Sequence, residues 1–315
     1  MRNVMRAIRQ DTLGGPDVLK IVEVDRPEPG PSEVLVRVHA AGVNPTDWWH
    51  RSTGGLLGEG RPVPLGWDVS GVVEAVGLGV TMYRPGDEVF GMPRLPEPAG
   101  AYAEFMTSPA RHLARKPAGI SHVEAAALPI AALTAWQSLV DTAGVRPGQR
   151  VLIHAAAGGV GHLAVQIAKA RGAYVIGTAS AAKHAFVRGL GADEVVDYRT
   201  TDFTAAVADV DVVLDAVGGE YGPRSLEVLR PGGTLVSIAS PAEAHLAGAA
   251  EQRGLRAGFT IVEPDNGGLR EIAALVESGR LRVHVDTVLP LEQAAKAHEI
   301  GETGRTQGKI VLTVV

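Results

Sequence analysis

The sequence predicts an α/β protein in two parts, a β-rich module and a doubly wound parallel sheet. The stretch Arg150 to Lys183, RVLIHAAAGGVGHLAVQIAKARGAYVIGTASAAK, reads as strand, glycine turn, helix and strand. Short strand-like runs broken by glycine and proline occupy the chain up to Ile120. Beyond Lys183, strands and helices alternate to about Val262, the rhythm of a parallel sheet with crossover helices.

Met5 to Ile8, Val18 to Val24 and Glu33 to His39 read as strands, set apart by Gly14-Gly15-Pro16 and by Arg26-Pro27-Glu28-Pro29-Gly30-Pro31. Val34, Val36 and Val38 alternate with Leu35, Arg37 and His39, which suits an antiparallel sheet with one face partly wet. Pro45 opens a short helix that Asn44 can cap. Asn44 and Asp47 stand beside Trp48 and Trp49, the mixture of a cleft lip, where the tryptophans touch substrate or simply pack in the core. Gly54 to Pro64 reads as a loop able to move over a site. Leu65 to Gly77, Pro85 to Gly91 and Gly100 to Phe105 place glycines where bulges and corners fall, the pattern of a small, partly open barrel.

Near Ile120 the character changes. Ser121 and Glu124 form a capping box, opening a helix that ends near Pro129. Ala131 to Thr142 reads as a second helix with Leu133, Trp136, Leu139 and Val140 on one face; the Thr134 hydroxyl near its start faces solvent or a cofactor. Val151 to Ile153 is a buried strand, and Val160, Leu163, Ala164, Ile167 and Ala168 form the apolar stripe of the helix that follows. The unpaired first amides of such a helix suit a phosphate. In the turn between them Gly158 lets a pyrophosphate approach the backbone, Gly159 widens the bend and Gly161 lets the helix close on the strand, with Ala157 and Val160 completing the binding stretch. The first glycine of the usual G-x-G-x-x-G is Ala156 here. A turn that binds nothing is the alternative, but the strand before it and the stripe after it favour a dinucleotide.

The second strand selects the dinucleotide. An NAD-binding protein usually ends it with a carboxylate for the ribose 2′-hydroxyl, about 20 residues past the glycines. This chain has Thr178-Ala179-Ser180 and then Lys183, two hydroxyls and a positive charge suited to a 2′-phosphate, hence NADP(H). Ser180 can equally cap a helix from Ala181 to Leu190.

Glu194 to Tyr198, Val210 to Val217, Gly233 to Ala239 and Gly258 to Val262 bring the sheet to six strands. The fourth and fifth end at Val217 and at Ile238-Ala239, which in such a sheet face the nicotinamide. Leu269 to Ser278 reads as a helix, Val283 to Leu289 as a strand and Leu291 to Glu299 as a helix. The run from Lys309 to Val315 is too regular for a tail and is expected to return to the β-rich module. The expected division is therefore 1–121 and 263–315 for a discontinuous β module and 122–262 for the dinucleotide domain.

Composition narrows the function. The net charge of −5, with no Lys/Arg cluster, argues against nucleic acid or an anionic membrane as partner. There is no uninterrupted apolar run of about 18 residues and no export-signal core, so a cytoplasmic protein is expected. The absence of cysteine removes disulfides, thiol nucleophiles and thiolate metal sites. The ten histidines include no His-x-x-x-His or His-x-His pair, and no metal is expected.

VHAAGVNPTDW, GWDVSGVVEAVG, YRPGDEVFG and GAYAEF, followed by LPIAALTAWQSL, VLIHAAAGGVG, GLGADEVVDY, VLDAVGG, LRPGGTLVSIA and GKIVL, resemble the medium-chain dehydrogenase/reductase superfamily nearly end to end. Within it the chain is similar to the zinc-free NADPH:quinone oxidoreductases, including zeta-crystallin. The resemblance implies a GroES-like catalytic domain in two segments, a Rossmann domain between them, an active site in the cleft, and a homodimer joined near Gly258 to Val262. Zinc members place a cysteine and a Gly-His-Glu where this chain has Gly42-Val43-Asn44 and Gly66-Trp67-Asp68. The resemblance puts Asn44 beside the nicotinamide and the reacting carbonyl, Thr134 beside the carboxamide, and Ser180, Lys183 and Tyr198 around the 2′-phosphate. Lys309 either reaches the cofactor from the other side or is a structural surface lysine. Some members carry a tyrosine near the NPTD segment; Trp48 and Trp49 stand there instead, which leaves a tyrosine acid without support at that point.

The implied reaction is hydride transfer from NADPH to a quinone, or to the β-carbon of an enone or enoyl thioester. Asn44 would donate to the developing oxygen charge and water would supply the proton. The alternative is an NADPH-binding structural or regulatory protein with little turnover.

Overall fold

The computed structural model describes residues 4–55 and 61–314, so the expected loop from Gly54 to Pro64 falls in part outside the described residues. Its first stretch carries β1 (Val4–Arg9), β2 (Lys20–Asp25), β3 (Glu33–Val43), β4 (Asp68–Val76), β5 (Glu88–Gly91), β6 (Phe105–Pro109) and β7 (Leu113–Arg115). Then come β8 (Arg150–Ile153), β9 (Tyr174–Ala179), β10 (Glu194–Asp197), β11 (Val210–Asp215), β12 (Leu229–Ser237) and β13 (Arg256–Phe259), and last β14 (Val285–Pro290) and β15 (Lys309–Thr313). The chain forms two compact units: Met1–Leu133 with Glu263–Gly279 and Val283–Val315, and Thr134–Val262 with Arg280–Arg282.

The first unit is built on β3. Among the described residues its sheet runs β14-β15-β3-β4-β5-β7, and β6 shares an edge of β3 with β15. Glu33 to Arg37 pair with β6, and Ala40 to Val43 with β15, so the returning run GKIVL fills the half of the edge that β6 leaves open. Val34, Val36 and Val38 are fully buried while Arg37 and His39 are half-buried, the alternation expected of a sheet with one wetter face. Gly100 to Glu104 does not form the strand expected of it. Its backbone is divided between two neighbours, since Tyr102 C=O accepts from Ile8 N–H at 2.8 Å while Ala101 N–H donates to Gly66 C=O at 3.0 Å, and no continuous ladder forms.

The capping box forms, with Glu124 N–H donating to Ser121 Oγ at 3.2 Å and Ser121 N–H to Glu124 Oε2 at 2.8 Å. The next helix starts at Pro129, a residue whose missing N–H costs nothing in a first turn, and widens after Trp136 into a π-turn over Gln137–Thr142.

The second unit is a six-stranded parallel sheet of order β10-β9-β8-β11-β12-β13. Counted from β8 this is 3-2-1-4-5-6, the doubly wound dinucleotide order, and its direction reverses between β8 and β11. Leu152, Ile176, Val213 and Leu235 are buried in the core of this unit, with Phe203 and Leu226 packed against them. His154, just past β8, is fully buried between Thr178 Oγ1 at 3.2 Å and Ser225 Oγ at 3.0 Å, and its ring meets Phe203 and Tyr221 edge-on. Burial, with Arg224 nearby, pushes this imidazole down to about 3.

A folded-state pKa below the unfolded one gives a contribution to stability that is complete above about 6.5 and is lost as pH falls towards the folded value, because only the unfolded chain takes up the proton. Between pH 6.5 and 5 the loss is about 2 kcal/mol. In urea titrations the stability gap between the native chain and His154→Asn should therefore narrow by about this amount from pH 7 to pH 5; a gap independent of pH would show that the ring is not held neutral.

Candidate functional site

In the first unit, sheet register brings three distant residues together. Gly42 pairs with Asp68 across β3 and β4, and Val43 pairs with Ile310 across β3 and β15, so Asn44, Asp68 and Lys309 meet where β3 ends. They are 3%, 0% and 3% exposed. Lys309 Nζ donates to Asn44 Oδ1, to Val43 C=O at 3.3 Å and to Asp68 Oδ2 at 3.3 Å. Asn44 Nδ2 donates to the same Asp68 oxygen at 2.9 Å, and Ile130 N–H donates to Asp68 Oδ1 at 2.7 Å. Every oxygen of this buried carboxylate is thus bonded, which is the condition for a charge to survive away from water. Gly42 is required: a Cβ there would stand 2.6 Å from Asp68 Oδ2 and 2.4 Å from Ala126 C=O.

Asn44 precedes the helix Pro45–Thr53, but its side chain is turned to Lys309 and Asp68. Asp47 secures the helix start instead, accepting from Asn44 N–H at 2.7 Å and, with its other oxygen, from Gly66 N–H at 3.0 Å. Burial pushes this carboxyl up to about 7 against those two hydrogen bonds; Asp68 adds to the rise and Lys309 opposes it. Trp48 packs against Gly301, where a Cβ would lie 2.6 Å from the indole, and meets His298 edge-on at 6.2 Å. That is the packing role, whereas Trp49 is 38% exposed. Behind them Arg51 bonds His298 Nδ1 at 3.0 Å and Glu302 at 2.5 Å, and Tyr102 Oη reaches His298 Nε2 at 3.3 Å. Burial, with Arg51 beside it, pushes His298 down to about 3, so the ring is neutral. Sequence reading missed this network. For the separate Asn44–Asp68–Lys309 cluster the legible sign was the closing strand's return, which sets Lys309 beside β3.

In the second unit, residues 154–160 form the turn between β8 and the helix Gly161–Ala170. Ala155 takes φ +51, and at Gly161 a Cβ would fall 2.2 Å from Ala155 C=O, so only glycine lets the helix close on the strand. Gly158, Gly159 and Val160 are half-buried and Ala157 is buried; at Gly158 an added Cβ would meet only Ala155 C=O, at 3.2 Å. Thr178 departs from its expected role. It is 1% exposed, and its hydroxyl accepts from Ala155 N–H at 3.3 Å and bonds His154 Nδ1, so it supports the turn from beneath and does not face a 2′-phosphate.

Ser180 makes no side-chain capping bond to the short helix Ala181–Lys183. Ser180 and Lys183 are half-buried and Tyr198 is 45% exposed. Past β11, Asp215 Oδ1 accepts from Val217 N–H at 2.8 Å and Gly218 N–H at 3.0 Å, leaving the Val217 side chain exposed. Ile238 is half-buried and Ala239 exposed beyond β12, and Thr134 is buried. The structure thus gathers Asn44 and Lys309 in the first unit, and Thr134 with the nucleotide candidates in the second.

Residues 30–118 match the family described as alcohol dehydrogenase GroES-like domain, and residues 190–312 that described as zinc-binding dehydrogenase. The donors here do not suit zinc. The chain has no cysteine, Asn44 and Asp68 hold an ammonium group, and among the described residues no three His, Asp or Glu are grouped to hold an ion. Also among the described residues, no helix is long and apolar enough to cross a membrane.

The quinone oxidoreductase from Coxiella burnetii is 38% identical over 99% of this chain and 100% of its own, with a TM-score of 0.94. The Escherichia coli quinone oxidoreductase, solved complexed with NADPH, is 32% identical over 98% of this chain and 100% of its own, at 0.87. CurK enoyl reductase is 29% identical over 99% of each chain, also at 0.87. With a GroES-like unit, a parallel sheet of dinucleotide order and likeness along almost the whole chain, the protein belongs to the quinone oxidoreductase-like (zeta-crystallin) family of medium-chain dehydrogenase/reductases and is an NAD(P)H oxidoreductase.

Proposed function

We propose that the protein is an NADPH-dependent reductase of quinones or related α,β-unsaturated carbonyls, with Asn44 as the donor to the reacting oxygen. The Asn44 carboxamide carries the reading. Its oxygen is taken by Lys309 and one of its two N–H groups by Asp68, which leaves the second N–H to polarise a carbonyl. The group is buried and fixed, so little reorganisation is needed as charge develops.

Nucleotide choice rests on β9. It ends in Thr178-Ala179 with no carboxylate, and Ser180, Lys183 and Tyr198 follow on its own and the neighbouring strand's carboxyl side. Backbone amides of the turn from Ala157 to Gly161 would hold the pyrophosphate, and Thr134, Val217, Ile238 and Ala239 would border the nicotinamide. Bound NADPH supplies the hydride. Protonation of the reduced product falls to water, since a reduced quinone or enolate takes up a proton without a strong local acid. The likeness to CurK supports an enoyl thioester as the second acceptor class. β13 is an edge strand, consistent with a homodimer that continues the sheet from one copy to the next.

NADPH consumption, followed at the nicotinamide absorbance with benzoquinone, a small enone or an enoyl thioester, should be seen with at least one of them; consumption with none would favour a binding protein with little turnover. Asn44→Ala should lower kcat by ~10²-fold while NADPH binding changes little, and full activity in that variant would remove Asn44 from the chemistry. Lys183→Ala should weaken NADPH far more than NADH in titrations of bound-nucleotide fluorescence, whereas equal losses would refute the 2′-phosphate assignment.

A further inference from the structure

We infer that Lys309 is a positioning residue of the reductase site: its ammonium group locks the Asn44 carboxamide in one orientation and strengthens the N–H that faces the reacting oxygen. The inference rests on the reading of Asn44 given above. A carboxamide has two nearly isosteric orientations, one presenting N–H and the other C=O at a given place. For a donor to an oxyanion only the first is useful, since the flipped amide would set one oxygen against another. What fixes the choice is the character of the neighbours. Lys309 can only donate and ionised Asp68 can only accept. Turning Asn44 over would put its NH2 against the ammonium and its oxygen against the carboxylate, so both contacts would become repulsive.

Charge adds to orientation. An ammonium bonded to the amide oxygen draws electron density from the nitrogen, and bonds in such a chain strengthen one another in a low-dielectric surrounding. Lys309 and Asp68 are 3% and 0% exposed, so water screens this effect little. The ammonium is itself held by three oxygens, from Val43, Asn44 and Asp68, on two strands and a helix start that sheet pairing locks in register.

Lys309→Met removes both the donor and the charge, whereas Lys309→Gln keeps an N–H donor for Asn44 Oδ1 without the charge. With NADPH and benzoquinone, Lys309→Met should lose ~10²-fold in kcat, close to Asn44→Ala, and Lys309→Gln ~10-fold, with KM for NADPH within about threefold in both. Placed on Asn44→Ala, either substitution should cost less than about threefold more, because the group it acts through is gone. A lysine that merely holds the fold together would cost the same in both backgrounds. Bound p-nitrophenol gives a second readout: its phenolate absorbance should be stronger with the native chain than with Lys309→Met at the same pH.

Native turnover in the two Lys309 variants, or losses undiminished on Asn44→Ala, would overturn the inference. If Lys309→Met is recovered only as aggregate, because Asp68 then loses the donor as well as the counter-charge, Lys309→Gln, which still offers an N–H there, decides by the same comparison. Full activity in Asn44→Ala would sink the reading of Asn44 itself and this inference with it. Impaired Asn44→Ala beside intact Lys309 variants would sink this inference alone.

Discussion

The buried ion pair between Lys309 and Asp68 sets the terms for the first unit. Two charges taken out of water cost several kcal/mol each before their attraction is counted, and such a pair persists only where the remaining polar atoms are bonded as well. Here Ile130 N–H, the Asn44 amide and Val43 C=O complete it. Each partner constrains something else. The approach of Asp68 demands glycine at position 42, the reach of Lys309 demands that β15 lie along β3, and the turn of Asn44 away from its helix leaves Asp47 to tie the helix start to Gly66. The setting of the Asn44 side chain is thus inseparable from the way the sheet is closed.

In the second unit a line of uncharged hydroxyl and imidazole groups has the supporting role. Ser225, His154 and Thr178 run beneath the glycine turn and reach the Ala155 amide. This explains how the turn holds a positive φ at a non-glycine residue, since Ala155 is fixed by its N–H and by the close approach of Gly161. The loss of the usual first glycine to Ala156 is tolerated because that residue's N–H simply donates to Thr178 C=O, at 3.0 Å, and nothing there requires a left-handed conformation.

Much of the fold was legible because it rests on local patterns. Ser121 with Glu124 announced a capping box, the stripe from Val160 to Ala168 announced a helix, and the regular GKIVL run announced a strand. Where reading failed, the deciding fact was the direction of a side chain or the sharing of a backbone. Thr178 stands at the right place in sequence for a phosphate contact, yet its hydroxyl is turned to His154 and the Ala155 amide. Gly100 to Glu104 has strand composition, but two neighbours divide its hydrogen bonds. Asn44 was legible as a candidate from its setting, while its pairing with a lysine 265 residues away was not, because only the register of β3 with β15 brings the two together.

That separation bears on how the protein is made. Asp68 and Lys309 are 241 residues apart, and the strand carrying the lysine is the last described element to join the sheet. During synthesis, every nascent fragment that stops short of it must keep the Asp68 carboxylate either hydrated beside the unfilled edge of β3 or sequestered without its cation. The sheet around β3 therefore stays incomplete on the ribosome until β15 arrives, bringing the amine that holds both Asp68 and Asn44.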